Sequence, residues 1–136
     1  MAALAEVGTE PVDVTFSVPG GEATAEQTTN GRLGIVGGIS ILGTSGIVRP
    51  FSTASYRASV VQQIDLAAAQ GEQTVVLATG VRSEAAAAAL YPTLDPVCLI
   101  EVGDFTGIAL RRAAHAGMRK VVFVGMAGKL AKLAAG

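Results

Sequence analysis

The chain has 136 residues, half of them hydrophobic and 15% charged, with one cysteine, one histidine and a formal net charge of −1. That is the length of one domain with a real core, and the composition argues against disorder, a disulfide framework and a metal centre of clustered ligands. No apolar run reaches the roughly 18 residues that span a bilayer and no signal segment opens the chain, so a cytoplasmic protein is expected, without a membrane. Scattered basic residues and 4% aromatics speak against a nucleic-acid partner.

Residues 1–11 are small and acidic and read as a flexible terminus, with the α/β domain expected over 12–136. Residues 12–18 alternate apolar and polar and predict a half-buried strand closed by the turn Pro19-Gly20-Gly21. A short helix over 22–29 and an apolar strand over 32–36 follow. The strand runs into a segment where six of the 17 glycines fall between Gly31 and Gly46, interleaved with Ile35, Val36, Ile39, Ile41 and Leu42. A linker would be polar; this pattern predicts a tightly folded backbone that offers its N–H groups to a ligand.

Ser52 is the expected N-cap of a helix to about Gln70, ended by Gly71, with Tyr56, Val60, Ile64 and Ala67 on its apolar face and Arg57, Gln62, Gln63 and Asp65 toward water. Residues 74–78 form a continuous apolar strand of the kind buried in parallel sheets. Thr79-Gly80 turns the chain, Ser83 caps an alanine-rich helix that stops before Tyr91-Pro92, and a further strand spans 97–102. Asp104 is the expected cap of a helix over 105–116, and Gly117 ends it. Residues 121–124 make the last strand, followed by Gly125-Met126-Ala127-Gly128-Lys129 and a last helix. Strand, glycine turn and helix recur at βαβ spacing, predicting a doubly wound, Rossmann-like three-layer α/β domain with a mostly parallel sheet.

The acids and bases are unevenly placed. Residues 1–29 hold five acids and no base, whereas residues 30–136 hold all ten bases and six acids, a balance suited to an anionic ligand. The glycine segment does not carry the G-x-G-x-x-G dinucleotide fingerprint. A phosphate-loop template fits better, from Gly38 to Gly43-Thr44-Ser45, but Thr44 stands where the lysine that pairs with phosphate belongs. A less charged ligand such as S-adenosylmethionine suits such a loop, and a tight structural turn explains the same spacing. Asp104 at a strand end is placed to bind ribose hydroxyls or to cap. Gly125 to Gly128 with Lys129 is a second anion-facing turn or an ordinary strand-to-helix connection. Cys98 reads as a buried thiol, and His115 as a partner of a helix C-terminus.

The block Gly34-Ile35-Val36-Gly37-Gly38-Ile39-Ser40-Ile41-Leu42-Gly43-Thr44-Ser45-Gly46-Ile47-Val48, with Val18-Pro19-Gly20-Gly21-Glu22 before it and Val124-Gly125-Met126-Ala127-Gly128-Lys129 after it, closely resembles the cobalt-precorrin-5B C1-methyltransferase family of anaerobic cobalamin biosynthesis. The resemblance implies transfer of a methyl group from S-adenosylmethionine to C1 of a cobalt-bound tetrapyrrole, giving cobalt-precorrin-6A. On that basis Gly37, Gly38, Gly43, Thr44, Ser45, Gly46 and Asp104 are the expected cofactor contacts. Arg49 and Lys129 are expected to pair with the carboxylates of the tetrapyrrole, for which Arg32, Arg82 and Lys132 also qualify by charge. No general base is identified. The motifs of the family's N-terminal domain are absent, as is its downstream Thr-His-Ser segment, so the chain reads as the C-terminal portion, with the N-terminal domain as its partner. Gly31 replaces a frequent proline, and Thr79-Gly80-Val81-Arg82 a frequent Pro-Gly-Asn turn. The alternative expectation is a noncatalytic module that docks against another domain and closes the substrate cleft.

Overall fold

The computed structural model describes residues 13, 15–40 and 52–135. Residues 15–40 carry a short helix α1 (Gly21–Ala25) and a 3-10 turn (Gly31–Leu33). Residues 52–135 run α2 (Thr53–Ala69), β1 (Thr74–Ala78), α3 (Val81–Leu90), β2 (Leu99–Glu101), α4 (Thr106–His115), β3 (Lys120–Val124) and α5 (Ala127–Ala135).

The three strands form one parallel sheet in the order β2-β1-β3. β1 is central, and Val75, Val76, Leu77 and Ala78 are all buried, as a strand covered on both faces requires. Its last residue, Ala78, stands level with Glu101 on one side and Val124 on the other. Successive side chains of a strand point to opposite faces. Val75 and Leu77 accordingly join Ile100 and Val102 against Val60, Ile64 and Ala67 of α2 and Ala109 and Ala113 of α4. α3 packs on all three strands and buries Ala87, the small side chains of residues 85–89 letting the helix approach closely. The chain thus leaves β1 toward one side under α3 and returns across it under α4, so the sheet is doubly wound. In this order the crevice for ligands lies beyond the carboxyl ends of the strands, where β1 and β3 send their connections apart.

Local chemistry sets several boundaries. The Ser52 hydroxyl accepts from the Ser55 N–H and starts α2, and Gly71 at φ 85° turns the chain out of it. An Arg112–Asp65 ion pair joins α4 to α2 on the outer face. Other expectations are corrected. Residues 13 and 15–18 lie exposed outside any strand, because alternation creates an apolar face but no partner to pair with. The strand expected over 32–36 is a 3-10 turn followed by Gly34 at φ 72°, a conformation incompatible with extension. β2 begins at Leu99, since Asp95 accepts from the Val97 N–H and winds Pro96–Cys98 into a 3-10 turn. Gly80 occupies the cap position of α3, while Ser83 is buried within its first turn, its hydroxyl 3.2 Å from that of Thr79. Phe105 precedes α4 and no side chain caps it; Asp104 is engaged elsewhere. On α2, Gln63 faces inward and donates to the Ser59 carbonyl, and Tyr56 remains 38% exposed.

Candidate functional site

Three clefts open at the carboxyl end of the sheet or beside its β2 edge. One, of about 340 Å³, is lined by Thr79, Gly103, Asp104, Thr106, Phe123 and Lys129. Here the Lys129 ammonium donates to the Asp104 carboxylate at 2.6 Å, tying α5 to the turn that follows β2. That hydrogen bond, and the ammonium charge with it, holds the Asp104 carboxyl below its usual range. Asp104 remains open to solvent. A Cβ on Gly125 would stand 3.0 Å from Thr79 and 3.1 Å from Leu130, so a larger residue there needs both side chains to shift.

A second cleft, of about 460 Å³, is rich in hydroxyls and is lined among others by Arg32, Ser52, Ser55, Tyr56, Ser59 and Glu101. Tyr56 tilts against Phe105 with ring centroids 5.4 Å apart and donates to the Glu101 carbonyl at 3.3 Å. Burial, then the carboxylates of Glu101, Glu84 and Asp104, raise the Tyr56 phenol above its ordinary pKa, so it stays a neutral donor. Asn30, beside the wall residue Thr29, holds the described start of the glycine segment. Asn30, buried, donates to the Gly38 carbonyl at 3.1 Å and accepts from Ser40 at 3.0 Å, next to Thr29 on the cleft wall. Ser52 lines the cleft on the other side.

The third and largest cleft, about 940 Å³, borders β2 and has an apolar floor of Leu66, Val81, Ala85, Ala88, Val97 and Leu99. Arg32 reaches Glu84 at 2.6 Å at its rim and belongs to both this cleft and the hydroxyl-rich one.

Of the expected site residues, Asp104 and Lys129 are brought into direct contact. Gly37 and Gly38 line a separate hollow with Phe16, Val18 and Glu22, and a Cβ on either would meet nothing within 4 Å. Gly43, Thr44, Ser45, Gly46 and Arg49 lie outside the described residues. Glu101 and Tyr56 were not singled out by the sequence as site residues. The signal for Glu101 was present, an acid closing the second strand of a βαβ unit. Its helical spacing marks Tyr56 only as a core position. Cys98 is buried as expected, and burial, with Glu72 beside it, pushes its thiol up to about 12. Among the described residues no group of His, Cys, Asp and Glu is arranged to hold a metal, and no helix is long and apolar enough to cross a membrane.

The family described as CbiD matches residues 1–50. A cobalt-precorrin-5B C(1)-methyltransferase of Salinispora tropica is 67% identical over 133 residues, which is 98% of this chain and 34% of the relative. The proteins of the same name in Rubrobacter xylanophilus and Geobacillus thermodenitrificans are 68% and 54% identical over 125 residues, 92% of this chain and 32% and 34% of theirs. No solved structure matches. Over almost all of its own length the chain is therefore homologous to the cobalt-precorrin-5B C(1)-methyltransferases, of which it spans about one third.

Proposed function

We propose that this chain is a domain of an S-adenosylmethionine-dependent methyltransferase that methylates C1 of cobalt-precorrin-5B, giving cobalt-precorrin-6A. The observation that carries the reading is the 67% identity to a protein of that name along nearly the whole chain. A parallel sheet with polar and apolar clefts at its carboxyl edge is consistent with it. S-adenosylmethionine, when bound, supplies a methyl group on a cationic sulfonium. The residues of this chain position the partners for in-line approach, and positioning accounts for much of the acceleration in such a transfer. The resemblance assigns Gly37, Gly38, Gly43, Thr44, Ser45, Gly46 and Asp104 to the cofactor, Gly37 and Gly38 from a hollow apart from the Asp104 cleft. Arg49 and Lys129 pair with acidic side chains of the tetrapyrrole. Lys129 is held by Asp104, so a substrate carboxylate must share or displace that partner.

The test is a graft. Replacing the matching third of the Salinispora tropica protein with this chain should give an enzyme that methylates cobalt-precorrin-5B and releases S-adenosylhomocysteine. A folded graft without methyl transfer overturns the reading.

One observation favours the second reading, a noncatalytic docking module. Val36 is 88% exposed and Val81 71%, and both line the large apolar cleft. The surface that covers them is then the remaining two thirds of the protein, whose length the relatives give. On this reading the chain alone has no affinity for S-adenosylhomocysteine.

A further inference from the structure

Three carboxylates surround the carboxyl end of β1 and β2, and they are not equivalent. Glu84 is bound to Arg32 and Asp104 to Lys129, whereas Glu101 makes no ion pair among the described residues. Glu101 is half-buried, closes β2 level with the last residue of β1, and lines the hydroxyl-rich cleft. Its carboxylate lies over the first βα turn: a Cβ built on Gly80 would stand 4.0 Å from Glu101 Oε1. The cleft beside it, about 460 Å³, is within the range of small-ligand sites.

We infer that Glu101 binds the ribose hydroxyls of a nucleoside seated in the hydroxyl-rich cleft that Tyr56 and Glu101 line. This rests on the methyltransferase reading and names the residue of this chain that reads its cosubstrate. An ionised carboxylate has only acceptors and offers two oxygens, which suits a vicinal diol. In parallel βαβ units an acid about 20 residues beyond the first turn, at the end of the second strand, occupies the place where ribose hydroxyls are bound. Charge selects the kind of nucleoside. Glu101 lines the cleft, Glu84 is paired with Arg32, and Arg32 is the one cation among the described lining residues, so a triphosphate is disfavoured while a neutral or sulfonium-bearing nucleoside is accepted. The serine and tyrosine hydroxyls give further neutral partners.

The chain should be titrated by calorimetry with S-adenosylhomocysteine, its 2′-deoxy analogue and ATP. Binding of S-adenosylhomocysteine about 10- to 100-fold tighter than of the deoxy analogue is expected, this being the range for a hydrogen bond to a charged group. ATP should not bind. Glu101→Gln should weaken S-adenosylhomocysteine by a similar factor and weaken the deoxy analogue, which keeps only its 3′-hydroxyl, by less. Equal binding of both nucleosides to the unmodified chain overturns the assignment and leaves the methyltransferase reading in place; that comparison needs no variant and stands even if Glu101→Gln fails to fold. Unchanged binding by a folded Glu101→Gln does the same. No S-adenosylhomocysteine binding overturns the assignment too, and activity of the graft then decides the wider reading separately.

Discussion

Asp104 and Lys129 lie 25 positions apart in the chain and meet at 2.6 Å, so a contact between two exposed side chains ties the first turn of α5 to the turn after β2. The folded Asp104 pKa is depressed, chiefly by the hydrogen bond from Lys129. The stabilisation is therefore fully present above the ordinary carboxylate range and is lost as pH falls through the lowered value. An NMR titration should place the Asp104 midpoint below that of a free aspartate, and Lys129→Met should return it to the ordinary range. An unchanged midpoint in the variant would remove the contact from the account. Cys98 gives the opposite kind of prediction. With its thiol buried and raised to about 12, iodoacetamide should leave the native chain unlabelled at pH 8 and modify it only with denaturant. Rapid native labelling would show that this side of the sheet opens. Burial of Cys98 was legible because its neighbours Val97, Leu99 and Ile100 are apolar. The ion pair was not, since nothing local to Asp104 or Lys129 points to the other.

Among the elements, those whose signals are local and complete were legible. The start of α2 follows from the Ser52 cap and its end from Gly71, and β1 was read with its bounds. The elements misread are those decided by contacts from elsewhere. The period-two alternation of residues 12–18 gives no strand among its described residues, 13 and 15–18, and Gln63 sits on the buried side of α2 because its amide can reach the Ser59 carbonyl. The candidate site divides in the same way. Clustering of glycines was plain in the sequence, but the approach of Glu101 to Gly80 depends on strand register. The energetic weight of the elements can be tested by truncation. Ile64→Ala, in the fully buried core of α2, should cost about 2–5 kcal/mol in urea unfolding. Leu90→Ala, 69% exposed at the end of α3, should stay within about 0.5 kcal/mol. Similar losses for the two would contradict the layer arrangement.

For the molecule as a whole, the chain spans about a third of its relatives and leaves a wide apolar cleft beside β2. If the rest of the protein covers that cleft, the chain and the remaining two thirds of the Salinispora tropica protein should associate when mixed. Val81→Glu should weaken the complex in gel filtration by burying a charge, without affecting the fold of the chain. Association indifferent to Val81→Glu would place the interface elsewhere.

The position of β1 between its two neighbours also has a consequence in time. Its amides are hydrogen-bonded within a strand covered on both faces, whereas β3 lies at the sheet edge with only partly buried residues, and α5 beyond it buries none. Local opening is cheapest where few apolar contacts must be broken. In deuterium exchange the amides of α5 should be replaced first, those of β3 next and those of Val76 and Leu77 last, at the rate of global unfolding. The chain comes apart from its last helix inward, and the strand that holds the sheet together is the last to feel the solvent.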